Sequence, residues 1–143
     1  MTNLTQILQK SFSVPTRGRS TIEISREISE IVDQSAVNTG LCHVYLSHTS
    51  ASLIISENAD IDVQKDLETF MSRLVRDGDP AFIHTSEGDD DMPAHIRAVL
   101  TQTELTIPVS QGKLALGTWQ GVFLWEHRMA PHTRHVTLTL IGH

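Results

Sequence analysis

Apolar and polar residues alternate in two segments near the start of the chain, which is the pattern of half-buried β-strands. The first segment covers residues 4–14 and the second residues 19–25, with a turn containing proline and glycine at 15–19. Because the two segments follow each other across this short turn, we predict that they pair as antiparallel strands.

Three other segments place apolar residues at the three- and four-residue spacing of an amphipathic helix. The first covers residues 26–39 and ends at an Asn-Thr-Gly stop signal. The second is predicted to start at a capping residue, Asp60, and to run to about Arg76. The third is predicted to have Asp91 as its cap and residues 94–100 as its body, with a proline in its first turn.

The remaining apolar segments are short and predict further strands, which gives about seven strands and three helices in all. No regular helix separates consecutive strands, so we predict an α+β fold with mostly antiparallel strands. A length of 143 residues fits one domain, which we place at 1–143. The further predicted strands are 41–47, 52–56, 104–109, 114–126 and 134–141.

Composition narrows the class of protein. A net charge of −6 argues against sequence-independent nucleic-acid binding. No apolar segment reaches the roughly 20 residues of a membrane-spanning helix, and residues 1–10 lack the features of a signal peptide. The single cysteine, Cys42, excludes an internal disulfide and indicates a reducing, cytoplasmic setting; its apolar strand predicts an inert core thiol.

Eight histidines are many for this length, and three of them lie in contexts that favour chemistry. His48 follows an apolar strand and opens a turn of small residues, His84 ends an apolar patch, and His95 lies near a helix start. Three imidazoles can hold a zinc-like divalent ion and leave a position open for water or substrate. The alternative is three unrelated hydrogen-bonding histidines, because none lies in a local metal-binding motif.

An acidic loop at residues 87–91 separates two of these histidines and carries four carboxylates. It can complete a metal site or hold Mg²⁺ near a phosphate, or it can be a solvated loop followed by a helix cap. Glu87 and Asp91 are the better candidates for a role in the site. Asp91 precedes His95 by four positions and is placed to orient its ring.

Two glycines flank Trp119 in the segment 117–121, which suggests a close approach of backbone or ligand. The same predicted strand ends at Glu126, where a carboxylate is costly unless it is paired or functional. Arg128 can pair with Glu126 or bind an anion. The alternative is a core strand with a surface ion pair at its end.

A serine nucleophile is the weakest of the candidate chemistries. His48 and Ser50 can share a face of an extended segment, but no nucleophile-elbow motif is present. We therefore expect Thr49 and Ser50 to donate hydrogen bonds to an anion rather than to attack a substrate.

Several of these segments together resemble the YjbQ-like family, whose members have been described as secondary thiamine-phosphate synthases. The similarity covers most of the chain from residue 41 onward. The matching stretches are HTSASLIISEN at 48–58, the H-x-x-E-G…M-P-A-H pattern from 84 to 95, IPV at 107–109, LALGTWQG at 114–121 and EHR at 126–128. Two positions depart from the pattern: Asp91 stands where relatives commonly carry Asn, and Gln102 where a glycine is usual.

The resemblance implies a β-sandwich-like core, a homotrimer and a pocket near a subunit interface that holds a divalent metal, with zinc as the first candidate and Mg²⁺ as the option for a pyrophosphate substrate. It also implies roles for individual residues in metal binding, catalysis and recognition of a small phosphorylated metabolite. The metal ligands are expected to be His48, His84 and His95; the catalytic residues His48, Glu87, His95, Glu126 and Arg128; and the substrate-binding residues Thr49, Ser50, Asn58, Thr118, Trp119 and Gln120.

The expected reaction joins a hydroxymethylpyrimidine pyrophosphate to a thiazole phosphate and releases pyrophosphate, either as the main reaction or as a side activity. Charge neutralisation by a cation with Arg128 and Arg134 then matters more than a nucleophile. One alternative is a metal- or phosphometabolite-binding protein without significant catalysis, since no complete acid–base–nucleophile set is evident. Another is a metal-dependent hydrolase that uses the same residues.

Overall fold

The computed structural model describes residues 4–143 and contains two antiparallel sheets and three helices, which confirms the α+β prediction. Residues 1–3, which belong to the predicted domain, lie outside the described part of the chain. The elements are β1 (Gln6–Pro15), β2 (Ser20–Glu23), α1 (Ser25–Gln34), β3 (Gly40–Leu46), β4 (Ala51–Glu57), α2 (Ile61–Leu74), α3 (Asp91–Leu100), β5 (Glu104–Ser110), β6 (Lys113–Leu114), β7 (Gln120–Glu126) and β8 (Thr133–Gly142).

The larger sheet has the strand order β1-β8-β3-β5-β6, and the smaller one β2-β7-β4. Alternate residues of β3, β5 and β8 are buried, as expected for strands that turn one face to a core. The main apolar core combines side chains of both sheets with α1, including the fully buried Ile28, Val44, Leu124 and Leu138. The β-sandwich-like core is therefore made from two unequal sheets that share one apolar interior.

The predicted pairing of the first two strands is wrong. β1 pairs with β8 along its whole length from Gln6 to Pro15, whereas β2 pairs with β7 in the other sheet. The turn between them carries the chain from one sheet to the other. Thr16 fixes this crossing, since its backbone N–H donates to the carbonyl of His132 at 2.7 Å.

The predicted strand 114–126 is also wrong as a single element, because it is divided between the two sheets. β6 pairs with β5 in the larger sheet, and β7 lies between β2 and β4 in the smaller sheet. The connecting loop is held by Gln120, whose Oε1 accepts from the backbone N–H of Gly117 at 2.8 Å. This division raises the number of strands in residues 4–143 from about seven to eight.

The helices follow the predicted periodicity, with differences at their ends. Asp60 caps α2 as predicted, since its Oδ1 accepts from the N–H of Asp62 at 2.9 Å. α1 ends at Gln34 rather than at residue 39. Asp91 does not act as a cap: it is the first residue of α3, and its carboxylate bonds to other side chains.

A partly buried ion pair fixes α3 against α2. Arg97 of α3 is fully buried and donates from Nη1 to both carboxylate oxygens of Glu68, at 3.0 and 2.9 Å. Trp125 of β7 donates from Nε1 to the same carboxylate at 3.2 Å. The position of α3, and of the histidine it carries, is therefore tied to α2 and to the smaller sheet.

Candidate functional site

The turn at residues 47–50 marks the point where the chain leaves β3 in the larger sheet and enters β4 in the smaller one. This crossing explains the interruption by small polar residues seen in the apolar sequence. It places His48, Thr49 and Ser50 at the edge of the core, beside the ends of β7 and β8.

A buried ion pair lies directly behind this turn. Glu126 is fully buried, and its Oε1 accepts from Arg134 Nε at 2.7 Å and from the Thr16 hydroxyl at 2.7 Å. Burial alone would raise the pKa of Glu126, but the hydrogen bonds and charge of Arg134, with Thr16 and the Arg128 N–H, outweigh burial and lower it. Arg134 also donates from Nη2 to the hydroxyl of Ser50 at 3.0 Å. Glu126 and Arg134 therefore brace the turn.

Only one ring nitrogen of His48 can accept a hydrogen bond within this network. Nε2 accepts from the backbone N–H of His135 at 2.8 Å, and Arg134 Nη1 lies 3.4 Å from Nδ1. Partial burial, and then the neighbouring charge of Arg134, lower the pKa of His48. In this arrangement Nε2 is occupied and Nδ1 carries the proton, so neither nitrogen offers a lone pair to a metal ion.

His84, Asp91 and His95 form the cluster best suited to a metal ion. One donor atom from each of the three lies within 4.8 Å of the others, and this is the only such group of His, Cys, Asp and Glu found in residues 4–143. Asp91 is buried, with a side chain 3% exposed, whereas those of His84 and His95 are 49% and 31% exposed. A buried carboxylate therefore lies beneath two imidazoles that face solvent.

The hydrogen bonds of His95 define which nitrogen faces the carboxylate. A carbonyl can only accept, so Nδ1 of His95 donates to the carbonyl oxygen of Thr49, 3.1 Å away. In a neutral ring, Nε2 then presents a lone pair to Asp91 Oδ1 at 3.4 Å. Two ligands of one tetrahedral zinc ion lie about 3.4 Å apart, so the donor spacing fits the predicted ion. The other oxygen, Oδ2, accepts a hydrogen bond from His84 Nε2 at 2.8 Å, so His84 would have to give up this bond in order to bind an ion.

Arg128 holds the acidic loop in place. Its Nε donates to Asp90 at 2.9 Å, its Nη1 to Asp91 at 3.0 Å and its Nη2 to the carbonyl of Glu87 at 2.9 Å. Burial would lower the pKa of Arg128, but Asp90, with Asp91 and Glu87, outweighs it and raises the pKa. The guanidinium therefore uses its donors within the protein, and the Glu87 side chain remains 68% exposed at the edge.

A cavity of about 550 Å³ adjoins the cluster on the side of His95. This volume lies within the range of small-molecule sites. Several hydroxyl groups line the cavity, together with His48, predicted as a metal ligand, and Thr49, predicted to bind substrate. His48 therefore lies at the cavity but is not part of the metal cluster. The wall is formed by Tyr45, Leu46, His48, Thr49, His95, Ala98, Val99, Thr101 and Thr103.

Four of the predicted substrate-binding residues lie elsewhere: Asn58, Thr118, Trp119 and Gln120. Glu57, next to Asn58, pairs with Gln120 at one end of β4 and β7, whereas Ala51 pairs with Glu126 at the other end. Six residue steps along a strand correspond to about 20 Å. Within one chain, these residues therefore form a separate group from the histidine cluster.

Sequence reasoning did not identify a buried serine–histidine pair next to the site. Ser52 Oγ and His127 Nε2 lie 2.8 Å apart, and both residues are fully buried. Burial, followed by the charges of Arg97, Arg19 and Arg134, lowers the pKa of His127 to about 3. Nothing in the local sequence pattern indicated that these two polar residues would be buried. Their lack of solvent contact assigns them a structural role.

Cys42 is fully buried in β3, and burial raises the pKa of its thiol to about 11. This confirms the prediction of an inert core thiol. No helix within residues 4–143 combines the length and apolar character needed to cross a bilayer.

Comparison with known proteins places the chain in a family. Residues 10–143 match the family model described as UPF0047 protein YjbQ-like. A UPF0047 protein from Synechocystis is 51% identical over 134 residues, which cover 94% of this chain and 91% of the relative. YjbQ of Escherichia coli O157:H7 is 41% identical over 135 residues, covering 94% and 97% of the two chains.

Solved structures agree with this similarity. A YbjQ-like protein of unknown function from Sulfolobus solfataricus superposes with a TM-score of 0.90 at 25% identity, covering 98% of this chain and all of the other. A conserved hypothetical protein from Thermus thermophilus gives a TM-score of 0.82 at 31% identity, covering 92% and 98%. The chain therefore belongs to the UPF0047 family of YjbQ-like proteins.

Proposed function

We propose that the chain is a divalent-metal-dependent enzyme of a small phosphorylated metabolite, with His84, Asp91 and His95 as the metal ligands. The observation that carries the proposal is the 3.4 Å spacing of His95 Nε2 and Asp91 Oδ1, with Nδ1 of His95 committed to a carbonyl. Two nitrogens and one oxygen favour zinc over Mg²⁺, which prefers oxygen ligands. A Mg²⁺ ion is then expected only together with a pyrophosphate substrate.

The residues around the cavity are suited to bind and orient a substrate. Thr49, Thr101 and Thr103 bring hydroxyl groups to its wall, and Tyr45 adds an aromatic surface. Arg128 and Arg134 already use their donors on carboxylates and backbone, so they hold the site together rather than contact phosphate. A bound divalent ion would supply the charge neutralisation that a departing pyrophosphate requires.

The reaction we propose is the transfer expected from the family resemblance, in which a hydroxymethylpyrimidine pyrophosphate and a thiazole phosphate combine with release of pyrophosphate. His48 and Thr49 then contact the substrate from the cavity wall, and Glu126 acts through the bracing of Arg134. A metal-dependent hydrolase would use the same ligands. It would be recognised by release of phosphate or amine from a simple substrate.

A second candidate is a protein that binds metal and metabolite without turnover. The observation that favours it is the engagement of the acceptor nitrogen of His48 and of both carboxylate oxygens of Glu126 in the folded network. These contacts leave neither His48 nor Glu126 free to act as an acid or a base. Relatives named only as UPF0047 proteins fit either candidate.

One set of measurements separates these candidates. Protein purified without a histidine tag is analysed for bound metals, and then assayed for pyrophosphate release and for thermal stabilisation by phosphorylated heterocycles. Metal with turnover supports the enzyme, and metal with a stabilising ligand but no turnover supports the binding protein. Absence of bound metal, also after incubation with zinc, contradicts both.

We also propose a cytoplasmic homotrimer. Support for self-association comes from exposed apolar side chains that lie in register across the outer face of the larger sheet. Ile7 is 72% exposed, and Leu41 and Ile141 are 50% and 44% exposed. Sedimentation equilibrium should give three times the chain mass, and a monomer at every concentration would contradict the trimer.

A further inference from the structure

Ser50 belongs to the turn beside the cavity, but its side chain points away from the cavity wall. Its neighbour Thr49 is exposed and lines the cavity, whereas Ser50 is only 8% exposed and is not part of the lining. The hydroxyl oxygen of Ser50 accepts from Nη2 of Arg134 at 3.0 Å. The sequence indicated a donor to the substrate at this position, and the structure instead directs the hydroxyl group at the buried ion pair.

The backbone of Ser50 is held by the same partner. Its carbonyl oxygen accepts from Nη2 of Arg134 at 3.2 Å and from the backbone N–H of His127 at 3.3 Å. Because Nη2 also donates to Glu126, one of its two N–H groups is shared between the two oxygens of Ser50. This shared contact grips Ser50 through its side chain and its backbone together, and so fixes the orientation of the residue.

The residue held in this way shares a peptide unit with the hydrogen-bond acceptor of His95. The carbonyl of Thr49 and the N–H of Ser50 lie in one planar unit, so the orientation of Ser50 restricts where that carbonyl points. The carbonyl oxygen lies 3.1 Å from Nδ1 of His95 and can only accept. A carbonyl fixed at this position favours the form of a neutral His95 that carries its proton on Nδ1.

Asp91 competes for the proton of the same ring. With the proton on Nε2, His95 would donate to Asp91 Oδ1, 3.4 Å away, and Nε2 would have no lone pair for an ion. A carboxylate is a stronger acceptor than a carbonyl, so the Thr49 carbonyl keeps the proton on Nδ1 only if it is held in place. The choice between the two tautomers therefore decides whether His95 can be a ligand, without any movement of the ring.

We propose that Ser50 is a positioning residue of the metal site. Tied to Arg134, it holds the Thr49 carbonyl against Nδ1 of His95 and so keeps Nε2 free of a proton. Ser50 acts only through the backbone and the ring of its neighbours, and touches neither the ion nor the substrate. This inference rests on the proposed function where it treats His95 as a ligand, but the tautomer it predicts is a property of the metal-free protein.

The tautomer is measured in full-length protein with ¹⁵N-labelled histidine, in the presence of a chelator. Long-range ¹H–¹⁵N spectra are recorded at about pH 8, above the ordinary titration range of imidazole, and His95→Gln identifies the signals of His95. Wild type should show a protonated Nδ1 and an unprotonated Nε2. Ser50→Ala should raise the share of the form protonated on Nε2, and Ser50→Gly, which also frees the backbone, should raise it further.

Zinc affinity gives the second measurement. We expect Ser50→Ala to bind zinc about fivefold more weakly, which corresponds to a fall of the binding tautomer to about one fifth of the molecules. Ser50→Gly should bind more weakly still. The matched control is Ser47→Ala, since Ser47 is an exposed serine of the same turn. This variant should leave both the tautomer and the zinc affinity unchanged.

The two measurements distinguish a failure of this inference from a failure of the proposed function. A wild-type His95 protonated on Nε2 would overturn the inference, as would a tautomer and a zinc affinity that stay at the wild-type values in both Ser50 variants. If only the proposed function fails, wild type does not bind zinc, while the tautomer of His95 still changes in the Ser50 variants and supports the positioning role.

Discussion

Arg128 donates from Nη1 to Asp91 Oδ1 at 3.0 Å, the same oxygen that faces Nε2 of His95. Because Arg128 also binds Asp90, the Asp91 carboxylate is held in one orientation before any ligand arrives. Arg128 also neutralises part of the negative charge of Asp91, so it would compete with a cation for this carboxylate. We therefore expect the affinity for the proposed metal ion to be set jointly by its ligands and by this arginine.

We predict that His95→Ala and His48→Ala separate metal binding from the rest of the site. His95→Ala should lower the affinity for zinc at least about 100-fold, since it removes a ligand. His48→Ala should leave zinc affinity unchanged, because the His135 N–H already occupies the acceptor nitrogen of its ring. Competition with a chromophoric chelator measures both, and an equal loss in the two variants would place His48 among the ligands.

Neutralising Asp91 should also weaken metal binding. Asp91→Asn keeps the shape of the side chain but removes the charge that both His84 and Arg128 contact. We expect a loss of zinc affinity of at least about 100-fold and a destabilisation of about 1–3 kcal/mol, because Arg128 loses one partner. The matched control is Asp89→Asn, an exposed acid two residues away. Equal zinc affinities in the two variants would refute Asp91 as a ligand.

The pair of Glu126 and Arg134 should dominate the acid sensitivity of the turn at 47–50. The pKa of Glu126 is lower in the folded protein than its ordinary value of 4.5. Its contribution to stability is therefore complete above pH 4.5 and is lost as the pH falls through the folded pKa. Glu126→Gln should cost about 3–5 kcal/mol at pH 7, because Arg134 stays buried without its charge partner. Urea unfolding at pH 7 and pH 4 measures this, with the exposed Glu30→Gln as control.

If Glu126→Gln lowered the free energy of unfolding by the same amount at pH 7 and at pH 4, Glu126 would not be the source of the acid sensitivity. The expected result is instead a difference that shrinks in acid, since wild type loses the same ion pair when Glu126 is protonated.

His127 should make the free energy of unfolding depend on pH in a second range, which lies at higher pH than that of Glu126. Its pKa is lowered from 6.5 to about 3 in the folded state, so below pH 6.5 the unfolded chain binds a proton that the folded chain does not. As the pH is lowered from 6.5 towards 3, this group therefore reduces the free energy of unfolding by about 1.4 kcal/mol per pH unit. His127→Gln should flatten the dependence, whereas the exposed His143→Gln should not. Identical slopes for wild type and His127→Gln would exclude this role.

Local features of the fold could be predicted from the sequence, because they depend on contacts within a few residues. The periodicity of α2 and its Asp60 cap are examples. The partners of β1 and β2 could not, since these are set by strands in the last quarter of the chain. The local signal of a turn at 15–19 is the same for a hairpin and for a crossing between sheets.

The candidate site was predictable in part for the same reason. His84 and His95 come together because a loop returns onto a helix. Their spacing was a weak signal, and it was the family resemblance that implied a shared pocket. The stretch 48–58 contains a seven-residue strand, so its two ends lie at opposite ends of the smaller sheet. A motif that is continuous in sequence therefore divides between two surfaces, with His48 at one and Asn58 at the other.

The hydrogen bond from Trp125 to Glu68 gives the protein a natural optical reporter. Glu68 also binds Arg97 of α3, two residues after His95, so a movement of that helix changes the surroundings of the indole. The chain has two tryptophans, and Trp119 is 63% exposed. With Trp119→Phe, the fluorescence of Trp125 alone follows the position of α3, and therefore the assembly of the histidine cluster in real time.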